Sequence, residues 1–354
     1  MSRLDRDKLA SWLDDRALRH LFSGVVLVRT GGQTVFEHAA GVAHRGHGVP
    51  VTNQSRFQVA SMTKMVTATT ALRMVERGSL SLHRPLFDFL PAELRPQALD
   101  ERHTLHHLLS HTSGLPNYHD DEDETWASFI GAWETVPVYH ARGPRDILPL
   151  IADKPMRSEL GEFVYGDANF ILIGVLIEWV TGKSFAQVAT EEVLVPMGLS
   201  DTGFDQLDTE PTRMATPYMV TDEPPETWVS NIYSVPAGGM PDGGMITTAA
   251  DLAHFIESLQ SGSVITPETL SLMLTPHGLE EDSPEGYGYG MELVVEDDVV
   301  TIYGHAGGDP GVSGMLSHYV RDNTTIVVLL NHDRGSWAVT QEIAKVLGLD
   351  DPRE

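Results

Sequence analysis

The chain has 354 residues, no cysteine and a formal net charge of −26, because 50 acidic side chains outnumber 24 basic ones. Without cysteine it has no disulfide bond, thiolate metal site, iron–sulfur cluster or cysteine nucleophile. The negative charge disfavours nucleic acid and anionic membranes as partners, because phosphate groups would be repelled. At about 150 residues per domain, this length predicts roughly two domains, or one domain with a large insertion.

The N-terminal segment lacks the character of a signal peptide, because residues 2–20 carry nine charged side chains and no apolar core. Leu9, Trp12 and Leu13 instead recur at helical spacing, which predicts an amphipathic helix. The longest apolar run, Phe170–Ile177, has eight residues, whereas a membrane span needs about 20. We therefore expect no membrane association and a cytoplasmic location, unless a leader peptide has been removed.

A β-hairpin is predicted at residues 23–40, because apolar stretches flank Gly31-Gly32, a pair that accepts positive φ angles. A helix is predicted from Ser61 to about Arg77, and Gly78 lies where a helix commonly ends. Between about 80 and 230 the pattern is helical with proline-rich joints. The strongest helix of this block is expected from Asn169 to Val180, ended by Gly182.

From about residue 285 strands return, and the predicted late elements are the strands Val295–Tyr303, Gly314–Val320 and Thr325–Asn331 and a final helix Trp337–Leu347. This layout predicts an α/β (α+β) fold, in which an antiparallel sheet built from both ends of the chain is flanked by the terminal helices. We place this sheet domain at residues 1–60 and 235–354. A mostly helical inserted domain then spans 61–234, with the active site in the cleft between the two.

Several site patterns can be set aside. Gly182-Lys183-Ser184 lacks the earlier glycine of a phosphate-binding loop, since residue 177 is isoleucine. The chain has no Gly-x-Ser-x-Gly elbow, which disfavours an α/β-hydrolase. A histidine cluster could place three imidazoles on one helix face, as zinc requires, but Leu105, Leu108 and Leu109 interleave with it and favour surface or capping roles. The cluster consists of His103, His106, His107, His111 and His119. We expect neither a metal nor a cofactor.

The segment Ser61-Met62-Thr63-Lys64 carries a possible nucleophile. Residues i and i+3 of a helix lie on one face, so Lys64 can reach the Ser61 hydroxyl. A serine hydroxyl is a poor nucleophile alone, and a lysine with a lowered pKa can activate it. In the first turn of a helix, the Ser61 N–H would also lie at the positive end, where it can stabilise an oxyanion. The four residues alone are a weak signal, because such spacing also arises by chance.

Two later segments accompany this one, Tyr165-Gly166-Asp167 and Gly304-His305-Ala306-Gly307-Gly308. With them the chain resembles the serine β-lactamase and penicillin-binding-protein-like superfamily, in particular its class C β-lactamase, esterase and D-peptidase branch. The resemblance extends over nearly the whole chain, and the further matching stretches are residues 58–64, 108–115, 163–165, 180–184 and 243–252.

The resemblance implies that Ser61 is the acylated nucleophile and Lys64 its activating partner. Tyr165 would take the Ser61 proton and pass it to the leaving group. The backbone N–H groups of Ser61 and Gly308 would form the oxyanion hole, and the glycines beside His305 would let an edge strand approach the substrate closely. Water would then release the acyl group. The residues implied to contact substrate are Asp167, His305, Ala306 and Gly307.

Two positions depart from the pattern of β-lactamases. Asp167 stands where many of them carry asparagine, and a carboxylate cannot donate to a substrate carbonyl. A carboxylate roughly 6 Å from Lys64 would favour its charged form by about 2–3 kcal/mol, giving Tyr165 a larger share of the proton transfer. Alternatively, Asp167 simply pairs with Lys64 and holds it in position. His305 stands where lysine is usual, and a mostly neutral imidazole weakens the demand for an anionic substrate.

The sequence therefore predicts a serine hydrolase that acts through an acyl-enzyme on small esters or amides, short peptides included. A true β-lactamase or DD-peptidase, and a non-catalytic penicillin-binding-like protein, are the alternatives. The sequence does not rank ester against amide and does not reveal the oligomeric state. The size of the acyl pocket should depend on loops around 118–145 and 205–240, and a solvated loop is expected for the acidic run Asp120–Glu124.

Overall fold

The computed structural model describes residues 3–119, 127–220, 227–279 and 283–353. The run Asp120–Glu124 lies outside these residues. A 3-10 turn, Ala60–Met62, leads into the second helix. The α-helices are α1 (Arg3–Leu18), α2 (Thr63–Glu76), α3 (Leu105–Leu109), α4 (Ala127–Ala132), α5 (Asp167–Thr181), α6 (Phe185–Ala189), α7 (Val195–Met197), α8 (Ala249–Gln260), α9 (Pro267–Met273) and α10 (Ser336–Leu347).

The described residues form one large antiparallel sheet and three short strand pairs. The large sheet has eight strands in the order β2-β1-β14-β13-β12-β11-β10-β9, so both ends of the chain contribute to it. The strands are β1 (Gly24–Thr30), β2 (Gln33–Ala40), β3 (Val42–His44), β4 (Val49–Pro50), β5 (Phe57–Gln58), β6 (Tyr218–Val220), β7 (Trp228–Ser230), β8 (Ile246–Thr247), β9 (Gly278–Leu279), β10 (Glu285–Tyr287), β11 (Glu292–Glu296), β12 (Val299–Asp309), β13 (Val312–Tyr319) and β14 (Thr324–Leu330).

The predicted hairpin and terminal helices are confirmed. Gly31 and Gly32 join β1 to β2 with φ angles of 56° and 76°, which L-residues with a side chain rarely adopt. Because successive strand side chains point to opposite faces, Val26 and Val28 of β1 face α1 and α10, whose apolar residues cover this side of the sheet. The other face packs against α2, α5 and α8. The division into domains at residues 60/61 and 234/235 stays a prediction.

The late strands differ from expectation at one point. The prediction of a single strand over Val295–Tyr303 is wrong. Asp297 and Asp298, with φ angles of 49° and 63°, turn the chain in the middle of this segment. Aspartate tolerates this left-handed region better than most residues, so the pair closes a hairpin between β11 and β12. As a consequence, Gly304–Gly308 lies inside β12 and not between two strands.

The middle of the chain is less helical than its pattern indicates. Of the regular α-helices described between residues 80 and 230, only α5 exceeds six residues, although a π-helical segment, Thr190–Leu194, joins α6 to α7 without a gap. Pro85, Pro91 and Pro144 begin short 3-10 turns in this region, because proline lacks the N–H that continues a helix. No single described helix is long and apolar enough to cross a membrane; one bent pair, Asp167–Thr181 with Phe185–Met197 at 82°, reaches the required length and composition only together.

One hydrophobic core joins the sheet to the helical segment. Val25 and Leu27 of β1 belong to the same buried cluster as Phe170 and Leu176 of α5. Phe170 and Leu176 are both completely buried, which is why α5 reads as an almost continuous apolar run. This shared core fixes α2 and α5 against the sheet, and the two helices carry the polar residues described next.

Candidate active site

Ser61 lies in the 3-10 turn that precedes α2, so the regular helix begins two residues later than the sequence predicts. Ala60 enters this turn with a φ of 45°. A non-glycine residue in this region stores about 1–3 kcal/mol of strain, and such strain is concentrated at functional sites. The turn leaves the Ser61 side chain partly exposed, one helical turn before Lys64.

Lys64 is completely buried, and each of its three N–H donors has an acceptor. Its Nζ lies 2.8 Å from Ser61 Oγ, 2.5 Å from Asp167 Oδ1 and 3.0 Å from the main-chain oxygen of Asp242. Burial lowers the pKa of Lys64, but the charges of Asp167 and Asp242 outweigh burial and raise it above its ordinary value. The lysine is therefore an ammonium in the resting site.

Asp167 is the first residue of α5, and both of its oxygens are engaged. Lys64 donates to Oδ1, and His119 Nε2 lies 2.8 Å from Oδ2. Burial raises the pKa of the Asp167 carboxyl, but the charge of Lys64 and the hydrogen bond from His119 hold it well below its usual range. This geometry favours the alternative in which Asp167 pairs with Lys64 and holds it in position over direct substrate contact.

Tyr165 approaches Ser61 from the other side. Its hydroxyl donates to Ser61 Oγ at 2.9 Å. The ring lies against the buried imidazole of His111, with centroids 4.3 Å apart. His111 Nδ1 also accepts the Gly166 N–H at 3.2 Å, so this histidine holds the loop that presents Tyr165. The Ser61 oxygen is thus flanked by an ammonium and a phenol.

The first half of β12 is an interior strand, because β11 and β13 flank it. The expectation of an edge strand is therefore wrong for this half. β11 pairs with it only as far as Gly304, whereas β13 continues alongside to Asp309. Beyond Gly304 the edge of β12 is open. The Glu292 carboxylate accepts the first N–H on that edge, from Ala306, at 2.9 Å. Since N–H groups alternate along a strand, the N–H of Gly308 points to the same open side.

His305 does not face this open edge. It is 1% exposed, with Nε2 2.9 Å from the Tyr287 hydroxyl and Nδ1 2.6 Å from the main-chain oxygen of Ala306. Burial lowers its pKa in spite of the nearby Glu292 carboxylate, so the ring is neutral near pH 7. Both ring nitrogens have protein partners, and His305 also lines the cavity that contains Tyr165, so the substrate contact implied for His305 stays a prediction.

The other histidines of the cluster make separate structural contacts. His107 Nδ1 accepts the Thr104 N–H at 3.1 Å and so caps the start of α3, as the capping interpretation predicts. His103 is buried and lies 3.0 Å from the main-chain oxygen of Ser113. Among the described residues no group of histidine and carboxylate side chains is arranged to hold a metal ion.

A cavity opens beside Ser61. Its apolar walls include Phe129, Leu207, Val235 and Met240, from the two loop regions that the sequence analysis indicated. Its polar walls include four carboxyl groups, those of Asp167, Asp205, Asp242 and Asp309, together with Gln58 and Tyr118. A second cavity of about 420 Å³ is lined by Tyr165, Tyr287 and Glu292 instead of Ser61. The hydrogen bond from Tyr165 to Ser61 therefore lies between the two cavities, because Ser61 lines the first and Tyr165 lines the second.

Sequence reasoning missed several polar residues of the site. Asp242 immediately precedes the matching stretch 243–252, and Asp309 immediately follows the motif that ends at Gly308. The position of an aspartate directly beside each motif is the signal that could have identified these two residues. His119 was noticed only as part of the histidine cluster, and no local pattern indicated that it pairs with Asp167.

Gly307 is a position where a side chain cannot be accommodated. A Cβ atom there would lie 2.2 Å from the main-chain oxygen of Val59 and 3.1 Å from Met62 Cγ, on either side of Ser61. We expect Gly307→Ala to displace β12 from the nucleophile and to lower kcat by about 10²-fold, since a shift near 1 Å suffices for such a loss. Steady-state kinetics with an activated ester measures it.

Gly131→Ala is a matched control, because a Cβ on that α4 residue would have no neighbouring atom within 4 Å. It should retain the kcat of the parent protein. An unchanged kcat in a folded Gly307→Ala protein would contradict the close approach of β12 to Ser61.

Comparison with known proteins places this site in a family. Residues 11–348 match the family model described as Beta-lactamase. The chain is 30% identical over 349 residues to the esterase EstB of Burkholderia gladioli, an alignment that covers 88% of this chain and 85% of that protein. A penicillin binding protein from Bacillus halodurans has a similar crystal structure, with a TM-score of 0.87, 33% identity and coverage of 94% of this chain and 99% of that one.

A more distant similarity concerns the fold alone. The D-amino acid amidase of Ochrobactrum anthropi superposes with a TM-score of 0.76 over 97% of this chain and 98% of its own, at 21% identity. The mixed architecture of a large antiparallel sheet and packed helices is therefore shared well beyond recognisable sequence similarity.

Proposed function

This chain belongs to the Beta-lactamase family and is a serine hydrolase of esters or amides, and we propose that it acts through an acyl-enzyme formed on Ser61. The observation that carries the proposal is the position of Ser61 Oγ, which is 2.8 Å from Lys64 Nζ and 2.9 Å from the Tyr165 hydroxyl. A serine hydroxyl needs such neighbours to become a nucleophile.

The Tyr165 hydroxyl, which donates to Ser61 Oγ in the resting site, first releases its proton to solvent. In the proposed first step, Ser61 Oγ then attacks the substrate carbonyl carbon and its proton passes to the Tyr165 oxygen. The Lys64 ammonium stabilises the negative charge on that oxygen before the transfer. The N–H groups of Ser61 and Gly308 hold the oxyanion of the tetrahedral intermediate. When the intermediate collapses, Tyr165 donates its proton to the leaving group and the acyl group remains on Ser61.

In the second step, water attacks the acyl-enzyme and Tyr165 accepts its proton. The ester bond to Ser61 breaks, and the proton returns from Tyr165 to Ser61 Oγ. Asp167 takes no proton in this scheme, because its role is to keep Lys64 charged and in position.

The proposed substrates are small esters, with amides and short peptides as further candidates. The similarity to an esterase supports ester cleavage. We expect slow or absent turnover of β-lactams, because the neutral, buried His305 cannot bind a carboxylate as a lysine at the end of a strand would. None of the described site residues specifically favours a β-lactamase or DD-peptidase activity.

The proposal is tested by trapping the acyl-enzyme. The protein is mixed with a fluorophosphonate or with p-nitrophenyl butyrate, quenched in acid and digested, and the peptides are analysed by mass spectrometry. We expect one added phosphonyl or butyryl group on Ser61. Modification of a different residue, or hydrolysis of the ester without any modification of Ser61 by either reagent, would refute the acyl-enzyme on Ser61.

A further inference from the structure

The open edge of β12 passes from one cavity to the other. Ala306 lines the cavity that contains Tyr165, whereas Asp309 lines the cavity that contains Ser61. Alternate residues of a strand direct their N–H groups to the same side, so the N–H groups of Ala306 and Gly308 both point to this edge. Gly308 is assigned to the oxyanion hole. The Ala306 N–H is therefore the next donor along the edge, on the Tyr165 side of the nucleophile.

A carboxylate of the protein itself already binds this donor. Glu292 Oε2 accepts the Ala306 N–H at 2.9 Å, and Glu292 Oε1 lies 3.2 Å from His305 Nδ1. Glu292 is the first residue of β11 and lines the cavity that contains Tyr165, where 38% of its side chain stays exposed. The carboxylate is thus held by two contacts and still faces the space that a substrate would enter.

Within the described part of the chain, no cation neutralises Glu292 through an ion pair. Its one partner at such a distance is His305, whose ring is neutral near pH 7. Arg353 lines the same cavity and its charge interacts with that of Glu292, but its guanidinium donates hydrogen bonds of 2.8 Å and 2.7 Å to the two oxygens of Asp351. Glu292 therefore gives its part of the cavity a negative charge.

The proposed reaction places the leaving group next to Glu292. Tyr165 donates a proton to the leaving group, and Tyr165 lines the same cavity as Glu292. The acyl group stays on Ser61, which lines the other cavity. A carboxylate on the leaving group would therefore lie near the Glu292 carboxylate and would find the Ala306 N–H already occupied. Repulsion between like charges is stronger where protein replaces water, so this arrangement disfavours such a substrate.

We propose that Glu292 is a specificity-determining residue, which excludes substrates whose leaving group carries a carboxylate and so reserves this cavity for leaving groups without one. Tyr287 and Trp337 give the same cavity aromatic walls, which suit an uncharged phenol or alcohol. A cavity of about 420 Å³ is large enough for such a group. This inference rests on the proposed function, since it assigns the leaving-group side of the same site.

The experiment compares two esters of nearly equal size that differ in the charge of the leaving group. The butyrate ester of 4-hydroxybenzoate has an anionic leaving group, and that of 4-hydroxybenzamide has an uncharged one. Hydrolysis is followed at pH 7 by chromatography of the released phenol, in about 0.15 M salt, which screens charges far from the site. The measured quantity is the ratio of kcat/KM for the neutral ester over the anionic one. Intrinsic ester reactivity cancels when this ratio is compared between proteins.

We expect Glu292→Gln to lower that ratio by about 10-fold or more, because glutamine can still accept the Ala306 N–H but carries no charge. Glu292→Ala is a second variant, which removes both the charge and the acceptor and should lower the ratio at least as far. Glu296→Gln is the matched control, since Glu296 is exposed at the other end of β11 and its replacement changes the net charge by the same amount. It should keep the parent ratio.

An unchanged ratio in the two Glu292 variants would overturn the inference. Faster hydrolysis of the anionic ester by the parent protein would overturn it as well, since Arg353 would then receive the carboxylate. Damage to the fold lowers kcat/KM for both esters alike, so a fall in the ratio reports the charge. Labelling of Ser61 by the fluorophosphonate separates the two proposals. A labelled protein with an unchanged ratio contradicts only the role of Glu292, whereas a parent protein that is not labelled contradicts the acyl-enzyme.

Discussion

Replacing Ser61 by alanine is expected to lower kcat for p-nitrophenyl butyrate by at least about 10⁴-fold, with no acyl adduct in the mass spectrum. The reason is that Oγ is the atom on which Lys64 and Tyr165 converge, and no other hydroxyl has both partners among the described residues. Because the Ser61 side chain is partly exposed, its loss should leave the thermal unfolding midpoint nearly unchanged.

Ser79→Ala serves as the control for this prediction. Ser79 is an exposed residue just beyond α2 on the same segment of chain, and its replacement should leave both kcat and labelling intact. If Ser61→Ala kept a substantial fraction of the parent kcat, with the protein freshly purified from a strain without other esterases, the acyl-enzyme scheme would be untenable.

Replacing Lys64 by methionine is expected to reduce both activity and stability. Activity should fall by about 10³-fold or more, because the charge that activates Ser61 is removed. Stability should fall by about 3–5 kcal/mol near pH 7, the usual effect of removing one partner of a buried ion pair, because Asp167 then keeps only His119. Steady-state kinetics and denaturant unfolding measure the two effects separately.

The double variant Lys64→Met/Asp167→Asn distinguishes catalysis from folding. It removes the unpaired charge, so most of the stability should return while the activity does not. The Asp167 carboxyl has a lowered pKa in the folded protein, so its stabilising ion pair is present above the unfolded value near 4 and is lost as the pH falls. The stability difference between the parent protein and the double variant should therefore shrink in acid. Recovery of activity together with stability would show that Lys64 is only structural.

Much of the fold could be predicted because local signals agree with the tertiary structure. The glycine pair at Gly31-Gly32 predicts a hairpin that the sheet then extends, and the apolar run of α5 predicts a buried helix. The prediction failed where one local feature outweighed the general pattern. The residues of Val295–Tyr303 have strand character throughout, but Asp297-Asp298 accepts positive φ and divides them.

The site could be predicted only where its residues belong to motifs. Ser61, Lys64 and Tyr165 do, and the structure brings their side chains within hydrogen-bond distance. The pairing of His119 with Asp167 joins residues 48 positions apart, which no helical or strand period specifies. The orientation of His305 could not be predicted from the sequence either. Its burial depends on Tyr287 and Glu292, and the pairing of β10, β11 and β12 brings these residues next to it.

The hydrophobic core that joins β1 to α5 has a mechanical consequence. Domains that close over a substrate rotate about a short connection with few packed contacts. In this protein, the contact between the sheet and α5 is continuous and consists of closely packed apolar side chains. Such packing resists a rotation of one part against the other. Selection among substrates must then come from the shape and charge of walls that are already in place. Enzyme variants with altered preference should be sought among the residues lining the two cavities, and not among distant positions that would act as pivots.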